Sequence, residues 1–325
     1  MKSLKKYHKP VNLKNGTIYD PFHSKKIKCD ILIVNGKIKQ ISDSIQNYDA
    51  KEIDCTNKII SPGFIDIHAH FREPGQENKE TLKTGCLSAM SGGFTDVCIM
   101  PNTSPPIDNP ESVKFILEKS RNLPINIHPI GAITKGQKGN ELSEINEMYD
   151  AGIIAISDDG LPVENGKMLR YAIEYCKMFD IPVINHAEDV CLRSNGLMNE
   201  GYISTVLGLD GNPDISESTM IFRDLSIAEY TNGKIHIPHV STAKSVEIIE
   251  GNSPEDVEGE IQVMMDEGSL IMNGWSVGES HQIQIAGTEI DVKITGEGCL
   301  VKENKCLDCS SVPIIKDVCL EQKTA

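Results

Sequence analysis

The stretch Ser61-Pro-Gly-Phe-Ile-Asp-Ile-His-Ala-His-Phe-Arg-Glu-Pro-Gly75 opens as an apolar β-type run and ends with two histidines spaced i, i+2. Residues two apart in a strand share a face, so His68 and His70 leave the strand end side by side. Neutral imidazole is a good zinc ligand, and a catalytic zinc takes about three protein ligands plus an open position for water. The turn Phe71-Arg72-Glu73-Pro74-Gly75 then sets a cation beside that metal. The remaining ligands must come from elsewhere in the chain.

The sequence on either side has the texture of a soluble globular protein. Its 325 residues suffice for one large domain with an appendage or for two ordinary ones. Apolar residues make up 39% and charged ones 24%, which predicts a packed core. The net charge of −15, from 32 basic and 47 acidic residues, argues against a nucleic-acid groove. An anionic substrate would need local cations, and this singles out Arg72. The basic start, Met1 to Lys9, has no apolar segment behind it, so no secretory signal is expected. No run reaches the ~18 apolar residues of a membrane span. The ten cysteines are scattered, several inside apolar runs, and are expected to be reduced, buried small hydrophobes of a cytoplasmic protein.

Taken in order, residues 1–57 form a small β segment. Ile31 to Val34, Asn35-Gly36 and Lys37 to Ile41 predict a hairpin closed by a type I′ turn. From residue 58 to 250, short apolar strands alternate with helical segments. Strands are expected over 59–70, 94–100, 125–130, 152–157, 181–187 and 234–240, and helices over 81–91, 112–121, 141–151, 168–179 and 214–230. Six strand–helix repeats imply a parallel sheet. A (β/α)8-type, TIM-like barrel fits better than a doubly wound sheet, because the informative polar residues fall at the C-terminal ends of several strands. No Gly-x-Gly-x-x-Gly follows the first strand. Residues 251–325 break the pattern: an acidic stretch precedes β-rich segments at 269–272, 281–285 and 289–294. A closed barrel takes roughly 250 residues. The tail therefore finishes the barrel irregularly, pairs with the N-terminal β unit, or leaves the barrel incomplete.

The strand ends collect one constellation: His68 and His70, Asn102 after Met100-Pro101, Asp158-Asp159-Gly160, His186 before Glu188, and His239 before Ser241-Thr242. Four imidazoles with a carboxylate able to bridge suit one or two zinc ions, and a two-metal site hydrolyses amides, imides or esters at a metal-polarised carbonyl. Asn102 and Arg72 would orient a polar, anionic substrate. His128 and His236 read as core or capping residues, lacking a partner at a strand's last position. Asp158-Asp159-Gly160 alone could be a plain turn; its place between the ligand strands favours a metal role for one aspartate. Glu188, Asp189 and Glu73 read as supporting or solvated groups. Cys306 and Cys309, with no histidine near, read as tail thiols.

These segments resemble the dihydroorotases of the amidohydrolase superfamily. Pro62 to Gly75, Met100-Pro-Asn-Thr103, Ile130-Gly-Ala-Ile-Thr134, Ser157-Asp-Asp-Gly160, Asn185-His-Ala-Glu188 and His239-Val-Ser-Thr242 match the long-chain bacterial type in order, over residues from about 12 to 250. The arginine-bearing turn and the Pro-Asn-Thr are closer to dihydroorotase than to hydantoinase or allantoinase.

The resemblance implies zinc-dependent interconversion of N-carbamoyl-L-aspartate and dihydroorotate in pyrimidine biosynthesis. It assigns His68 and His70 to one zinc, His186 and His239 to the other, Asp159 to the bridge, and Arg72 and Asn102 to the substrate carboxylate. Asp159 is preferred to Asp158 from the family's pattern, and no lysine stands at the end of the fourth strand to serve as the carboxylated bridge many relatives use. A homodimer or a complex with aspartate transcarbamoylase is the implied assembly. One departure matters. The family's Thr-Asp-His-Ala-Pro-His motif on the eighth strand, source of its general base, and its Thr-Pro-His-His stretch are absent from residues 251–325. Asp266, Asp291, Asp308 and Asp317 lack that context. The alternative expectation is a catalytically impaired homologue serving as a scaffold for aspartate transcarbamoylase.

Overall fold

In a computed structural model of the chain, the described residues are 9–20, 25–46, 48–251 and, as backbone only, the strand segments 262–265, 280–285, 288–295 and 298–302. The chain divides into two compact units, one built on the residues up to Gly63 and the other on those from Phe64 onward, with parts of the tail assigned to each.

The first unit is a five-stranded sheet of β1 (Val11–Asp20), β2 (Lys25–Val34), β3 (Lys37–Ser42), β4 (Lys51–Asp54) and β5 (Ile59–Ile60). The β2–β3 hairpin turns on Asn35 and Gly36, with φ of 52° and 75°. A type I′ turn needs positive φ at both central positions, which Asn and Gly tolerate best. The single strand expected over residues 59–70 is in fact two. Ile59–Ile60 pairs in parallel with β1, and Ser61-Pro62-Gly63 breaks the run before the next strand starts.

The second unit carries seven parallel strands among the described residues: β6 (Phe64–Ala69), β7 (Phe94–Ile99), β8 (Asn126–Pro129), β9 (Ile156–Ser157), β10 (Val183–Ile184), β13 (Ile235–Val240) and β14 (Gln262–Met265). They pair in order within two sheets, β6-β7-β8 and β9-β10-β13-β14, and an isolated parallel bridge from Gly131, just past β8, to Ile156 of β9 links the two. A small parallel pair, β11 (Met198–Asn199) and β12 (Gly211–Asn212), sits between β10 and β13 in sequence. Helices α1 (Leu82–Ser91), α2 (Pro110–Ser120), α3 (Ile145–Ala151), α4 (Gly166–Cys176), α5 (Val190–Arg193), α6 (Tyr202–Leu207), α7 (Ile215–Thr231) and α8 (Ala243–Gly251) fill the connections. None is long and apolar enough to cross a membrane.

Several boundaries differ from the sequence expectation for identifiable reasons. Helix α3 starts at Ile145 rather than near residue 141, because Lys135 and Ser143 form backbone bonds that hold the preceding segment extended. Strands β9 and β10 are two residues each; single bonds such as Ile156 N to Pro182 O replace a longer ladder. Gln262–Met265 adds a parallel strand in a stretch whose sequence reads only as acidic. In the tail, the strands expected at 281–285 and 289–294 fall within β15 (Ser280–Ile285) and β16 (Thr288–Thr295), which with β17 (Gly298–Lys302) make a separate three-stranded sheet. The strand expected at 269–272 and the thiols Cys306 and Cys309 lie outside the described residues.

Two apolar layers sandwich the parallel strands. The inner one is small: Cys98, Met100, Ile130, Ala155 and Ile184, with Ile67 against them. The outer one joins strand residues such as Val97, Ile99, Ile127, Val183 and Ile237 to the helical Leu82, Val113, Ile116, Leu169, Ile173 and Ile221. Alternation along each strand feeds both layers. At β6 the register against β7 slips between Asp66 and Ala69. Ala69 packs into the outer layer and Ile67 into the inner, so two successive residues, Ile67 and His68, lie between outward positions. A bulge of this kind re-aims side chains at a strand end. After the strand the chain turns tightly at Gly75 (φ 89°), where a Cβ would come 1.8 Å from the Ser104 carbonyl oxygen.

Candidate metal centre

Five side chains from four strand ends meet at one point. His68 Nε2 lies 3.4 Å from Asp159 Oδ1 and His70 Nε2 3.4 Å from Asp159 Oδ2. On the other side His186 Nδ1 is 3.5 Å and His239 Nε2 3.4 Å from Asp159 Oδ1, and those two nitrogens are 3.0 Å apart. The rings of His68 and His239 stand 5.5 Å apart, centroid to centroid. Two groups result, His68–His70–Asp159 and Asp159–His186–His239, each with its donor atoms within 4.8 Å of one another.

The four imidazole-to-carboxylate distances fit a shared metal better than they fit hydrogen bonds. Good N–H···O bonds are roughly 2.7–3.2 Å long. Two ligands sharing an ion at ~2.0–2.1 Å in tetrahedral geometry lie about 3.3 Å apart. The donor set, imidazole with one carboxylate, suits zinc-like cations. Burial alone would push Asp159 up, but hydrogen bonds and charge from His186, His239 and His68 outweigh it and hold the carboxyl well below the usual carboxylate range. Burial pushes His70 down, reinforced by His68 and Arg72 and opposed by Asn102 and Asp159. A neutral ring is the form that binds metal.

Adjacent aspartates do different jobs. Asp158 Oδ1 accepts the backbone N–H groups of Ile133 and Thr134, and Oδ2 accepts the Thr134 hydroxyl. Asp159, its side chain free of that duty, faces the imidazoles. Gly160 completes the turn at φ 89°, and a Cβ there would meet Asn102 Nδ2 at 3.0 Å.

Asn102 is engaged within the cluster. Its Oδ1 accepts from His70 Nδ1 at 2.9 Å, so Nδ1 carries the proton and Nε2 is left to face Asp159. Partners that fix a ligand's tautomer typically matter 10–100-fold for metal affinity. Asn102→Ala is therefore expected to weaken zinc binding by about 10–100-fold in a chelator competition; unchanged affinity would remove Asn102 from this role. Arg72, half-buried with φ 58°, makes no side-chain hydrogen bond or ion pair among the described residues and lies close enough to bias His70.

The remaining residues singled out by sequence take supporting places. Glu188 Oε2 sits 3.6 Å from His186 Nε2 and 3.3 Å from Arg193, and Oε1 takes the Asn212 amide. Asp189 caps α5. Glu73 is neither solvated nor beside the cluster: it is buried, paired with Lys119, and accepts the Leu82 N–H that starts α1. His128 pairs with Asp96 at 2.8 Å and His236 is buried in β13.

The helix expected over 214–230 is α7, but the sequence pattern misses what it carries. Its buried face runs Met220, Ile221, Leu225, Ala228, and one acid, Asp224, interrupts that stripe. Buried Asp224 accepts from Asn185 Nδ2 (2.6 Å) and Arg223 Nε (2.8 Å), while Arg223 also donates to the carbonyls of Val163 and Glu164. Asn185 Oδ1 in turn accepts the Val163 N–H. The network ties the loop after Asp159 to the residue before His186. An acid in apolar register on a helix is the signal that would have found it.

Residues 57–245 match the model of a family described as "Dihydro-orotase-like". A dihydroorotase of Syntrophotalea carbinolica is 45% identical over 236 residues, 72% of this chain and 56% of that protein. One from Endomicrobium trichonymphae is 49% identical over 240 residues, 74% of this chain and 56% of its own length. The chain thus spans little more than half the length of the relatives it matches. An L-hydantoinase (dihydropyrimidinase) from Arthrobacter aurescens superposes with a TM-score of 0.64 at 21% identity, covering 78% of this chain and 58% of that one. A dihydropyrimidinase from Brevibacillus agri gives 0.64 at 20%, covering 79% and 57%. At that identity the likeness shows the fold alone.

Proposed function

The chain belongs to the dihydro-orotase-like family, and from that premise we propose that it is a zinc-dependent cyclic amidohydrolase that interconverts N-carbamoyl-L-aspartate and dihydroorotate in the cytoplasm. The observation that carries the proposal is the convergence of His68, His70, His186 and His239 on the single carboxylate of Asp159.

In this reading His68 and His70 would hold one zinc, His186 and His239 a second, and Asp159 would contribute to both groups. Zinc held there would supply Lewis-acid chemistry for hydrolysis. Arg72 binds the substrate carboxylate by a charge-assisted hydrogen bond, for which its guanidinium is suited. The Asn102 amide nitrogen, on the Gly160 side of the cluster, adds a donor to the same substrate while its oxygen keeps His70 in register. The proton leaving the attacking water would pass to Asp159, the ionised group at the centre, and from it to the ring nitrogen as the C–N bond breaks. We read the seven strands as those of a (β/α) barrel, with a small β unit before it in sequence. A homodimer or an aspartate transcarbamoylase complex is the assembly we propose.

One feature favours a second reading: residues 251–325 lack the eighth-strand motif that carries the family's general base. A general base contributes typically 10²–10⁴-fold, so a chain without a substitute would serve as a metal-binding partner of aspartate transcarbamoylase. Assay of zinc-quantified protein on dihydroorotate, hydantoin and allantoin separates the cases. Dihydroorotate turnover that collapses in Arg72→Ala supports the proposal. Preference for hydantoin or allantoin would reassign the substrate, and bound zinc with no turnover would favour the partner.

A further inference from the structure

His239 breaks the alternation of its strand. Ile235 and Ile237 pack in the outer apolar layer, and so does Val240, leaving two residues between outward positions where a regular strand has one. The register against β14 shifts at this point, between Ile237 and Val240. His239 has φ of 38°, in the left-handed region that a non-glycine residue rarely occupies. Without the shift, alternation would turn His239 outward with Ile237. With it, the imidazole reaches His186 and Asp159. Backbone outliers of this kind persist only where the surroundings enforce them.

The enforcing group comes from α7. Glu217 Oε1 accepts the Ser241 N–H at 2.7 Å, and Oε2 accepts the Thr242 N–H at 2.9 Å and the Ser245 hydroxyl at 2.7 Å. One carboxylate thus grips consecutive amides immediately beyond the strained residue. Capping of α8 does not require it. Thr242 Oγ1 already accepts the Ser245 N–H, as an N-cap side chain does.

We propose that Glu217 is a positioning residue of the metal centre, clamping the end of β13 so that His239 stays turned into the site. The inference rests on the metal-hydrolase reading above and concerns the His186–His239 half alone. Glu217→Ala removes all three acceptor interactions, and Glu217→Gln replaces one acceptor oxygen by a donor facing a donor.

Zinc competition against a chelator tests the clamp, together with the ring-to-ring nuclear Overhauser effect between His186 and His239 in metal-free protein. For Glu217→Ala, affinity at one of two zinc sites is expected to fall about 10–100-fold, as for other residues that orient ligands. The second site should be unchanged and the Overhauser effect between the two rings should vanish. Glu217→Gln, which keeps one acceptor and guards against a failure of the alanine variant to fold, should fall between. Thr242→Val, which removes the cap of α8 and the bond to the Ser245 hydroxyl but leaves both amides held by Glu217, should leave both sites intact. Wild-type-like zinc affinity and an undiminished Overhauser effect in both Glu217 variants would overturn the clamp while leaving the metal reading standing. Equal losses in Thr242→Val would reduce Glu217 to a cap and overturn it too. A wild-type chain that takes up no zinc would overturn the metal reading and this inference with it.

Discussion

Asp159→Ala is expected to abolish zinc retention and to lower any ring-opening activity by at least about 10³-fold, the combined scale of a lost proton acceptor and a lost electrostatic anchor. The reason lies in how many groups depend on one carboxylate. All four imidazoles lie within 3.5 Å of it, and both potential ligand groups include it. Removing a single histidine spoils one group; removing Asp159 spoils both. The neighbouring residue provides the control. Asp158→Ala deletes the bonds to Ile133 and Thr134 and should act mainly on stability. Elemental analysis after dialysis, beside a melting curve for each variant, separates the two. If Asp159→Ala held zinc as tightly as the wild type, the cluster would not be a metal site.

The largest stability effect is expected at Asp224. Its side chain is fully buried, and burial pushes its carboxyl up while Arg223 and Asn185 pull it back. Removing one member of a buried, hydrogen-bonded ion pair costs about 3–5 kcal/mol. Arg223 is partly exposed, so Asp224→Ala should sit near the lower end of that range, on the order of 10 °C in melting temperature at roughly 2–4 °C per kcal/mol. The exposed Arg170–Glu174 pair one turn apart on α4 offers the contrast: Glu174→Ala should cost below about 0.5 kcal/mol. Equal melting temperatures for the two variants would mean that the network around Asp224 is energetically idle. Asp224→Asn should lie between them. It removes the charge that burial penalises, yet sets an amide nitrogen among donors.

Local patterns carried much of this in the sequence. His68, His70, Asp159, His186 and His239 were legible because barrel sites gather at strand ends, and strand ends can be found from apolar runs. The Asn35-Gly36 hairpin was legible because its turn type demands those residues. Three things were not. The break at Ser61-Pro62-Gly63 was hidden by apolar residues on both sides, which read as one strand. The strand Gln262–Met265 lies in an acidic setting, and parallel pairing with β13 rather than its own composition sets its state. Glu217 and Asp224 were overlooked because an acid in a helix reads as solvated until the partners it meets across the fold are known. The preference for Asp159 over Asp158 came from the family's pattern, and the bonds that commit Asp158 to Ile133 and Thr134 give it a physical reason.

The strand order has a consequence for how the chain comes into being. The first pair of imidazoles sits at the end of the first parallel strand and the last at the end of the sixth, yet the rings of His68 and His239 lie 5.5 Å apart. During synthesis at ~5–20 residues per second, the nascent chain displays His68 and His70 many seconds before His239 leaves the ribosome. Bringing the two together closes a long loop, and long-range closure of parallel strands is intrinsically slow. On the proposed reading, tight capture of both ions is a late event, and uptake of zinc by a refolding chain should trail the recovery of helical signal. Metal content then serves as an assay of completed chains: a truncated product would look folded by its helices and still come off the column empty.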